Sequence, residues 1–275
     1  MDNRAIGVFD SGLGGLTAVR QLHRVMPNED IIYFGDTGRV PYGSRGRQTI
    51  INYTRQDTAF LTKHDIKAIV VACGTVSSVA LDVVKGEHTL PMVGVVKPAC
   101  HAALKCTKND RVGIIGTRGT IQSGSYEARL HTQRPGIETI ARACPLFVPL
   151  VENGRFSPDD KVVQLIVEEY LSDIKDFGVD TLILGCTHFP LLRSTIRSVM
   201  GPGVNLVNPA YETAVELRRI LEWKDLLRGE DKELKTGEYK YEFYVSDTPG
   251  RLQTFASSIL PYEVEHIEKI KIEEY

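Results

Sequence analysis

The chain has 275 residues, of which 42% are hydrophobic and 25% are charged, and these fractions are ordinary for a globular protein with room for two domains. Its 33 lysines and arginines are balanced by 35 acidic residues, which gives a net charge of -2. Because nucleic-acid binding usually needs a basic face, this balance argues against a nucleic-acid partner.

The sequence has none of the long apolar runs that a membrane span or a signal peptide needs, so we predict a cytoplasmic protein without a membrane partner. Five cysteines stand at positions 73, 100, 106, 144 and 186. Their odd number and irregular spacing predict free thiols, and the lack of a Cys-x-x-Cys pair argues against a structural zinc site. Neither a metal nor another cofactor is predicted.

Short apolar runs alternate with amphipathic stretches along the chain, a pattern typical of parallel sheets built from βα units. The predicted strands cover residues 5–9, 31–34, 69–73, 92–96, 111–117, 146–152, 182–186, 204–207 and 241–245, with a further edge strand within 267–275. The predicted helices cover roughly 16–26, 46–63, 75–85, 122–132 and 159–177, then segments that follow Pro190 and Pro209, and finally 249–260 behind an Asp247 N-cap. A charged, solvated connection is predicted at 224–240.

The second half of the chain repeats landmarks of the first. Residues 111–117 resemble the opening strand, 182–188 resemble 69–75, and 204–210 resemble 95–99. We therefore predict an internal duplication in an α/β fold with two pseudo-symmetric domains, each a mostly parallel sheet flanked by helices. Ligands of such sheets bind beyond the carboxyl ends of the strands. A cleft between the two domains would then collect the residues that follow predicted strands, namely Asp10, Asp36, Cys73, Thr117, Glu152 and Cys186.

Cys73 and Cys186 occupy matching places, each at the end of a strand and at the start of a helix. A lone cysteine is more often a buried packing residue than a reagent. At a helix N-terminus, however, the helix dipole and unpaired N–H groups lower the pKa of a thiol, which can then act as a base near neutral pH. The matched placement favours chemistry at both thiols, whereas Cys100, Cys106 and Cys144 are predicted to be packing residues.

Asp10 and Ser11 precede a glycine-rich segment, Gly12-Leu13-Gly14-Gly15. This segment lacks the third glycine of the dinucleotide-binding pattern, because Thr17 stands in its place, and Asp10 would lie near the pyrophosphate. The segment is therefore interpreted as a tight strand-to-helix turn. Asp10 would lie at the mouth of the site, where its carboxylate could hold an amine or orient a thiol.

Three further features have both a functional and a plain structural interpretation. His188 could exchange a proton with Cys186 or a substrate near neutral pH, or it could be a solvated residue at a helix start. Glu152 could act in the site or be an ordinary loop carboxylate. The segment Pro41-Tyr42-Gly43 could be a turn, or it could hold a carboxylate through its backbone N–H groups and the Tyr42 side chain.

Two thiols on opposite sides of a cleft suggest proton transfer at one carbon centre. One thiol would remove a proton from one face and the other would return a proton to the opposite face, which inverts the centre without a cofactor. Backbone N–H groups and hydroxyls at helix starts would hold carboxylates and stabilise the developing carbanion. A single acidic thiol with a histidine base would instead suggest a nucleophile.

Five segments, in this order and with suitable spacing, resemble the glutamate racemases of the aspartate/glutamate racemase superfamily over about residues 5–260. They are Phe9-Asp10-Ser11-Gly12-Leu13-Gly14-Gly15, Pro41-Tyr42-Gly43, Ala72-Cys73-x-Thr75-x-Ser77, Val148-Pro149-Leu150-Val151-Glu152 and Leu184-Gly185-Cys186-Thr187-His188-Phe189-Pro190. The resemblance implies a cofactor-independent two-base racemase that interconverts L- and D-glutamate and supplies D-glutamate for peptidoglycan synthesis.

The resemblance also implies roles for individual residues. Cys73 would act on the D-isomer with help from Asp10, and Cys186 would act on the L-isomer with help from His188 and Glu152. The implied substrate contacts are Asp10, Ser11, Tyr42, Gly43, Gly74, Thr75, Thr187 and His188. The implied first domain comprises residues 1–97 plus 209–275 and the second comprises 98–208, and the implied assembly is a homodimer.

The sequence departs from the family pattern at three places. Gly74 stands where asparagine is usual, Val76 where alanine is usual, and Asn208-Pro209 where an aspartate-containing turn is common. The missing amide at Gly74 could weaken activity or shift the substrate, so a racemase of aspartate or another amino acid and a weak glutamate-binding protein are alternatives. A thiol hydrolase or transferase that uses Cys73 and His188 is a further alternative, and it would not need Cys186.

Overall fold

The computed structural model describes residues 2–229, 241–264 and 266–275. Within these residues the strands are β1 (Ala5–Asp10), β2 (Ile31–Gly35), β3 (Ile66–Val71), β4 (Met92–Gly94), β5 (Arg111–Gly116), β6 (Glu138–Ala143), β7 (Thr181–Leu184), β8 (Asn205–Val207), β9 (Tyr241–Val245) and β10 (Ile267–Lys269). The helices are α1 (Leu16–Val25), α2 (Arg47–Leu61), α3 (Gly74–Val79), α4 (Leu81–Val84), α5 (Val96–Cys106), α6 (Arg118–Gln122), α7 (Ser125–Gln133), α8 (Phe147–Glu152), α9 (Lys161–Asp176), α10 (Arg193–Met200), α11 (Pro209–Trp223) and α12 (Pro249–Ile259). None of the described helices is long and apolar enough to cross a membrane.

The described strands form two parallel sheets. The first has the order β10-β9-β2-β1-β3-β4 and the second has the order β6-β5-β7-β8. Strands β2-β1-β3-β4 thus repeat the order of the whole second sheet, which confirms the predicted duplication and the fold of two pseudo-symmetric α/β halves. We call the part built on the first sheet the first half and the part built on the second sheet the second half. The domain boundaries at 97/98 and 208/209 stay a prediction.

The central strands are buried on both faces, as their continuous apolar runs predict. Every residue of β1, β3 and β7 is buried. One hydrophobic cluster connects the halves, because Val8 and Val70 of the first sheet belong to the same packed set as Leu184 of the second. This shared core holds the carboxyl ends of the two sheets opposite each other, with a cleft between them.

The predicted strand at 146–152 is wrong, because Phe147–Glu152 is helix α8 and the strand that pairs with β5 is β6. A short apolar run does not distinguish a strand from a buried helical turn. Pro149 lies in the first turn of α8, where a backbone N–H has no helical partner in any case. β6 escapes prediction because it is the edge strand of its sheet and most of its residues are only partly buried.

The strands that precede the two thiols end earlier than the pattern predicts. β3 ends at Val71 and β7 at Leu184, so Cys73 and Cys186 lie in the turns that follow. Cys73 is the N-cap of α3, whereas Cys186 precedes a 3₁₀ turn at Phe189–Leu192. The two thiols therefore have similar positions in the topology but different local surroundings.

Several other bounds differ from the prediction. The helix at 75–85 breaks at Ala80 into α3 and α4, and the strand at 92–96 stops at Gly94 because α5 begins at Val96. The N-cap of α12 is Thr248 and not Asp247. In the tail, only Ile267–Lys269 is an edge strand. Residues 230–240 of the predicted connection lie outside the described residues.

Candidate active site

A cleft of about 440 Å³ lies between the carboxyl ends of the two sheets. The first half contributes Ser11, Tyr42, Gly43, Cys73, Gly74 and Thr75 to its walls, and the second half contributes Thr117, Glu152, Cys186, Thr187 and His188. The structure therefore brings together, in the predicted place, every predicted site residue except Asp10.

Cys73 lies at the start of α3 on the first-half wall, and only 5% of its surface is exposed. Its Sγ lies 3.2 Å from Ser11 Oγ. The prediction of a lowered pKa is wrong. Burial and the charge of Asp10 raise the pKa of Cys73 to about 12, against the opposing effects of the Ser11 hydroxyl and the Val76 N–H. At neutral pH this thiol is therefore protonated and ready to give a proton.

Asp10 is buried in the first half, with 2% of its surface exposed, and it does not line the cleft. The prediction that it lies at the mouth of the site is therefore wrong. Burial raises the pKa of Asp10, although the charge of His188 and the N–H groups of Gly15 and Gly12 oppose the shift. The predicted tight turn packs directly on this carboxylate, since a Cβ on Gly15 would lie 2.4 Å from Asp10 Cβ.

Cys186 begins a chain of three polar groups on the opposite wall. Its Sγ lies 3.8 Å from His188 Nδ1, and His188 Nε2 lies 3.1 Å from Glu152 Oε1. Burial lowers the pKa of His188, but the contacts with Cys186 and Glu152 prevail and raise it to about 10. Burial likewise opposes ionisation of Glu152, yet His188 and Arg251 lower the pKa of this carboxyl. His188 is thus an imidazolium at neutral pH that can exchange a proton with Cys186.

The Tyr42 hydroxyl points away from the cleft into a buried group of charges. It donates to Asp36 and lies 3.1 Å from Asp57 Oδ2. Arg39 joins the same two carboxylates, with Nε 2.6 Å from Asp36 and Nη2 3.0 Å from Asp57. The prediction that the Tyr42 side chain holds a substrate carboxylate is therefore wrong, and so is the placement of Asp36 in the cleft. The hydroxyl instead anchors the 41–43 segment.

Replacing Tyr42 with phenylalanine will lower the free energy of unfolding by about 1–3 kcal/mol, because buried carboxylates lose a hydrogen-bond donor. Urea unfolding followed by circular dichroism measures the change. Tyr53→Phe is the control, since the Tyr53 ring lies 5.2 Å from that of Tyr42 and its substitution leaves the Tyr42 hydroxyl in place. Equal stabilities of the two variants would contradict the anchoring role.

Three threonine hydroxyls meet where the two halves approach each other. Thr117 Oγ1 lies 3.0 Å from Thr75 Oγ1 and 3.0 Å from Thr120 Oγ1. The Thr117 side chain also caps α6 by accepting from the Thr120 N–H. Thr120 was not predicted as a site residue, and its only signal in the sequence is its place three residues after a threonine at a strand end. The cluster offers hydroxyl donors to a bound carboxylate.

Gly74 and Gly185 are in backbone contact between the halves, and each is the chain neighbour of one thiol residue. A Cβ built on Gly74 would lie 2.4 Å from the Gly185 carbonyl oxygen, so any side chain there would force the backbone to move. Gly185 is equally confined, since its Cβ would lie 2.7 Å from the Ile115 carbonyl oxygen. This glycine contact therefore limits how closely Cys73 and Cys186 face each other.

The other departures from the family pattern have structural roles outside the cleft. Val76 is fully buried in α3. Asn208 is the N-cap of α11, and its Oδ1 accepts from the Ala210 N–H at 3.1 Å. Neither residue lines the cleft.

All five cysteines are free, as predicted. Cys100 is buried, in agreement with a packing role. Cys106 is exposed, so the packing prediction is wrong for this residue. Cys144 is buried but also lines the cleft, and burial raises the pKa of its thiol.

The cleft carries a buried thiol on each wall, and each thiol has its own polar neighbours. Such a site defines an acid–base isomerase that moves protons on and off one small substrate from two sides. Residues 16–217 match the family model of Asp/Glu/Hydantoin racemases. The chain is 42% identical to the glutamate racemase of Geobacter metallireducens over 98% of this chain and 97% of that protein. The chain belongs to the Asp/Glu/Hydantoin racemase family and is a racemase.

Solved structures of similar proteins share the architecture. Glutamate racemase from Francisella tularensis in complex with D-glutamate is 37% identical, with a TM-score of 0.90 and complete coverage, 100%, of both chains. The RacE1 isoform of glutamate racemase from Bacillus anthracis is 35% identical, with a TM-score of 0.91 over 98% of both chains. An aspartate racemase from Picrophilus torridus is only 15% identical, with a TM-score of 0.58 over 82% of this chain and 99% of that chain, and that likeness extends to the fold alone.

Proposed function

We propose that this protein interconverts L- and D-glutamate by a two-base mechanism that needs no cofactor. The observation that carries the proposal is the pair of buried thiols, Cys73 and Cys186, in the walls of one small cleft. A nucleophile with a histidine base would leave the second thiol without a role. The names of the curated relatives and the Francisella structure with D-glutamate support glutamate as the substrate.

In the L-to-D direction, Cys186 removes the α-proton of L-glutamate and the electron pair remains on the carbanion at Cα. Cys73 then gives its proton to the opposite face, and a new C–H bond forms with inverted configuration. The raised pKa of Cys73 suits this role, because the thiol holds a proton at neutral pH. In the reverse direction Cys73 must first lose that proton, and we assign assistance in this step to Asp10.

The remaining polar groups bind the substrate and balance charge. His188, held by Glu152, exchanges the proton with Cys186, and its positive charge stabilises the developing carbanion. The hydroxyls of Thr75 and Thr187, the backbone around Gly43 and the Ser11 hydroxyl hold the amino and carboxylate groups of glutamate. These assignments follow the placement of the residues in the cleft walls.

In D2O near neutral pH, the protein will exchange the Cα hydrogen of L-glutamate for deuterium and convert it to D-glutamate. Proton NMR follows the exchange, and circular dichroism follows the conversion. L-Aspartate and other amino acids, measured in parallel, will react far more slowly; a faster reaction with aspartate would assign the other substrate. Tight glutamate binding by calorimetry without any exchange would favour the weak binding protein, and ester hydrolysis by Cys186→Ala would favour a thiol hydrolase.

We further propose a cytoplasmic homodimer whose D-glutamate enters peptidoglycan synthesis, with a first domain of residues 1–97 and 209–275. Growth of a D-glutamate auxotroph that expresses the chain tests the metabolic role. Light scattering of the purified protein tests the assembly.

A further inference from the structure

The turn that carries Cys186 belongs to the second half but is held by the first half. Thr17 of α1 donates from Oγ1 to the Thr187 carbonyl oxygen at 2.8 Å. Gly14 approaches the same turn so closely that a Cβ there would lie 2.3 Å from Thr187 Oγ1 and 2.5 Å from His188 Nδ1. The position of the polar groups around Cys186 therefore depends on contacts between the halves.

Helix α12 reaches the same groups from the C-terminal segment. Arg251 Nη2 lies 3.4 Å from Glu152 Oε2, while the other carboxylate oxygen, Oε1, lies 3.1 Å from His188 Nε2. Phe255, one turn further along α12, packs beside the His188 ring with the centroids 6.1 Å apart. Each oxygen of Glu152 thus has its own partner, and only one orientation of the carboxylate satisfies both.

We infer that Arg251 is a positioning residue for Cys186, because it holds Glu152 in the orientation that faces His188 while the two halves are in contact. This role rests on the proposed racemisation. The Arg251 side chain is 59% exposed, and an ion pair at such a site contributes little to stability. Arg251 does not line the cleft, so substrate binding does not depend on it. Its effect therefore appears in proton transfer at Cys186.

Steady-state kinetics of Arg251→Gln test this role. The value of kcat will fall about twofold to fivefold in both directions, the range that an exposed ion pair contributes, while KM for L- and D-glutamate stays unchanged. Arg251→Lys keeps the charge and will restore most of the activity. Arg219→Gln is the matched control, because Arg219 has a similarly exposed side chain and pairs with one carboxylate, Glu216, at 3.1 Å.

Deuterium at Cα distinguishes positioning of Cys186 from a general structural effect. Cys186 cleaves the Cα bond of L-glutamate, and Cys73 cleaves that of D-glutamate. Slower transfer at Cys186 makes the first cleavage more rate-limiting and the second less so. In Arg251→Gln, the isotope effect measured with 2-deuterated L-glutamate will therefore rise, and the effect with 2-deuterated D-glutamate will fall.

Three results would overturn the positioning role: isotope effects equal to those of the wild type, a change of the same sign for both isomers, or equal losses of kcat in Arg251→Gln and Arg219→Gln. A wild-type protein that does not racemise glutamate would instead overturn the proposed function. That result is visible before any variant is measured, so the two failures are distinguishable.

Discussion

Replacing Cys186 with alanine will slow glutamate racemisation by about 10²- to 10⁴-fold, and replacing Cys73 will have an effect of similar size, because each thiol supplies one of the two proton transfers. Initial rates in both directions, followed by circular dichroism, measure the loss. Cys144→Ala is the matched control, since Cys144 is also a buried thiol in the cleft wall. It will retain nearly full activity.

Isotope exchange makes the same variants more informative. In Cys186→Ala, Cys73 can still take the α-proton of D-glutamate and return a deuteron from D2O to the same face. This variant will therefore exchange D-glutamate without inverting it, and Cys73→Ala will exchange L-glutamate without inverting it. A single-thiol variant that racemises at the wild-type rate would refute the two-base mechanism.

Replacing Gly74 with alanine will lower kcat/KM for glutamate about 10²-fold, although the change adds only one methyl group. The new Cβ would meet the Gly185 carbonyl oxygen at 2.4 Å, so the two backbones must separate. Cys73 and Cys186 are the chain neighbours of these glycines and will move apart with them. A displacement of about 1 Å in a catalytic geometry can cost about 10²-fold in rate.

Gly86→Ala is the control for this prediction, because no heavy atom lies within 4 Å of a Cβ built at Gly86. The sequence alone suggests that the missing amide at Gly74 weakens function. The structure leads to the opposite expectation for a substitution: Gly74→Asn will lower activity further, because its side chain needs more room than alanine. An unchanged kcat/KM in Gly74→Ala would contradict the spacing role of the glycine contact.

Much of the fold and the membership of the site could be predicted from local patterns. β1 and β3 are continuous apolar runs because helices and neighbouring strands cover both of their faces. The repeated landmarks around Cys73 and Cys186 predict that two thiols lie at the ends of equivalent strands, and the order of strands in the two sheets confirms this topology. The edge strand β6 and the short helix α8 were missed, since partial burial and a six-residue apolar run leave no clear periodicity.

Tertiary structure alone decided the chemistry that these residues can perform. Cys73 keeps its proton because burial and the charge of Asp10, which lies on another strand, outweigh its helix-start position. The Tyr42 hydroxyl turns away from the cleft toward carboxylates of β2's end and of α2, and Arg251 reaches Glu152 from the far end of the sequence. The pKa and partners of a polar group depend on burial and on charges within a few ångströms, and residues remote in the chain supply both. The sequence by itself determined which groups line the cleft, and packing of the two halves decided which of them hold a proton, which face the substrate and how far apart the thiols stand.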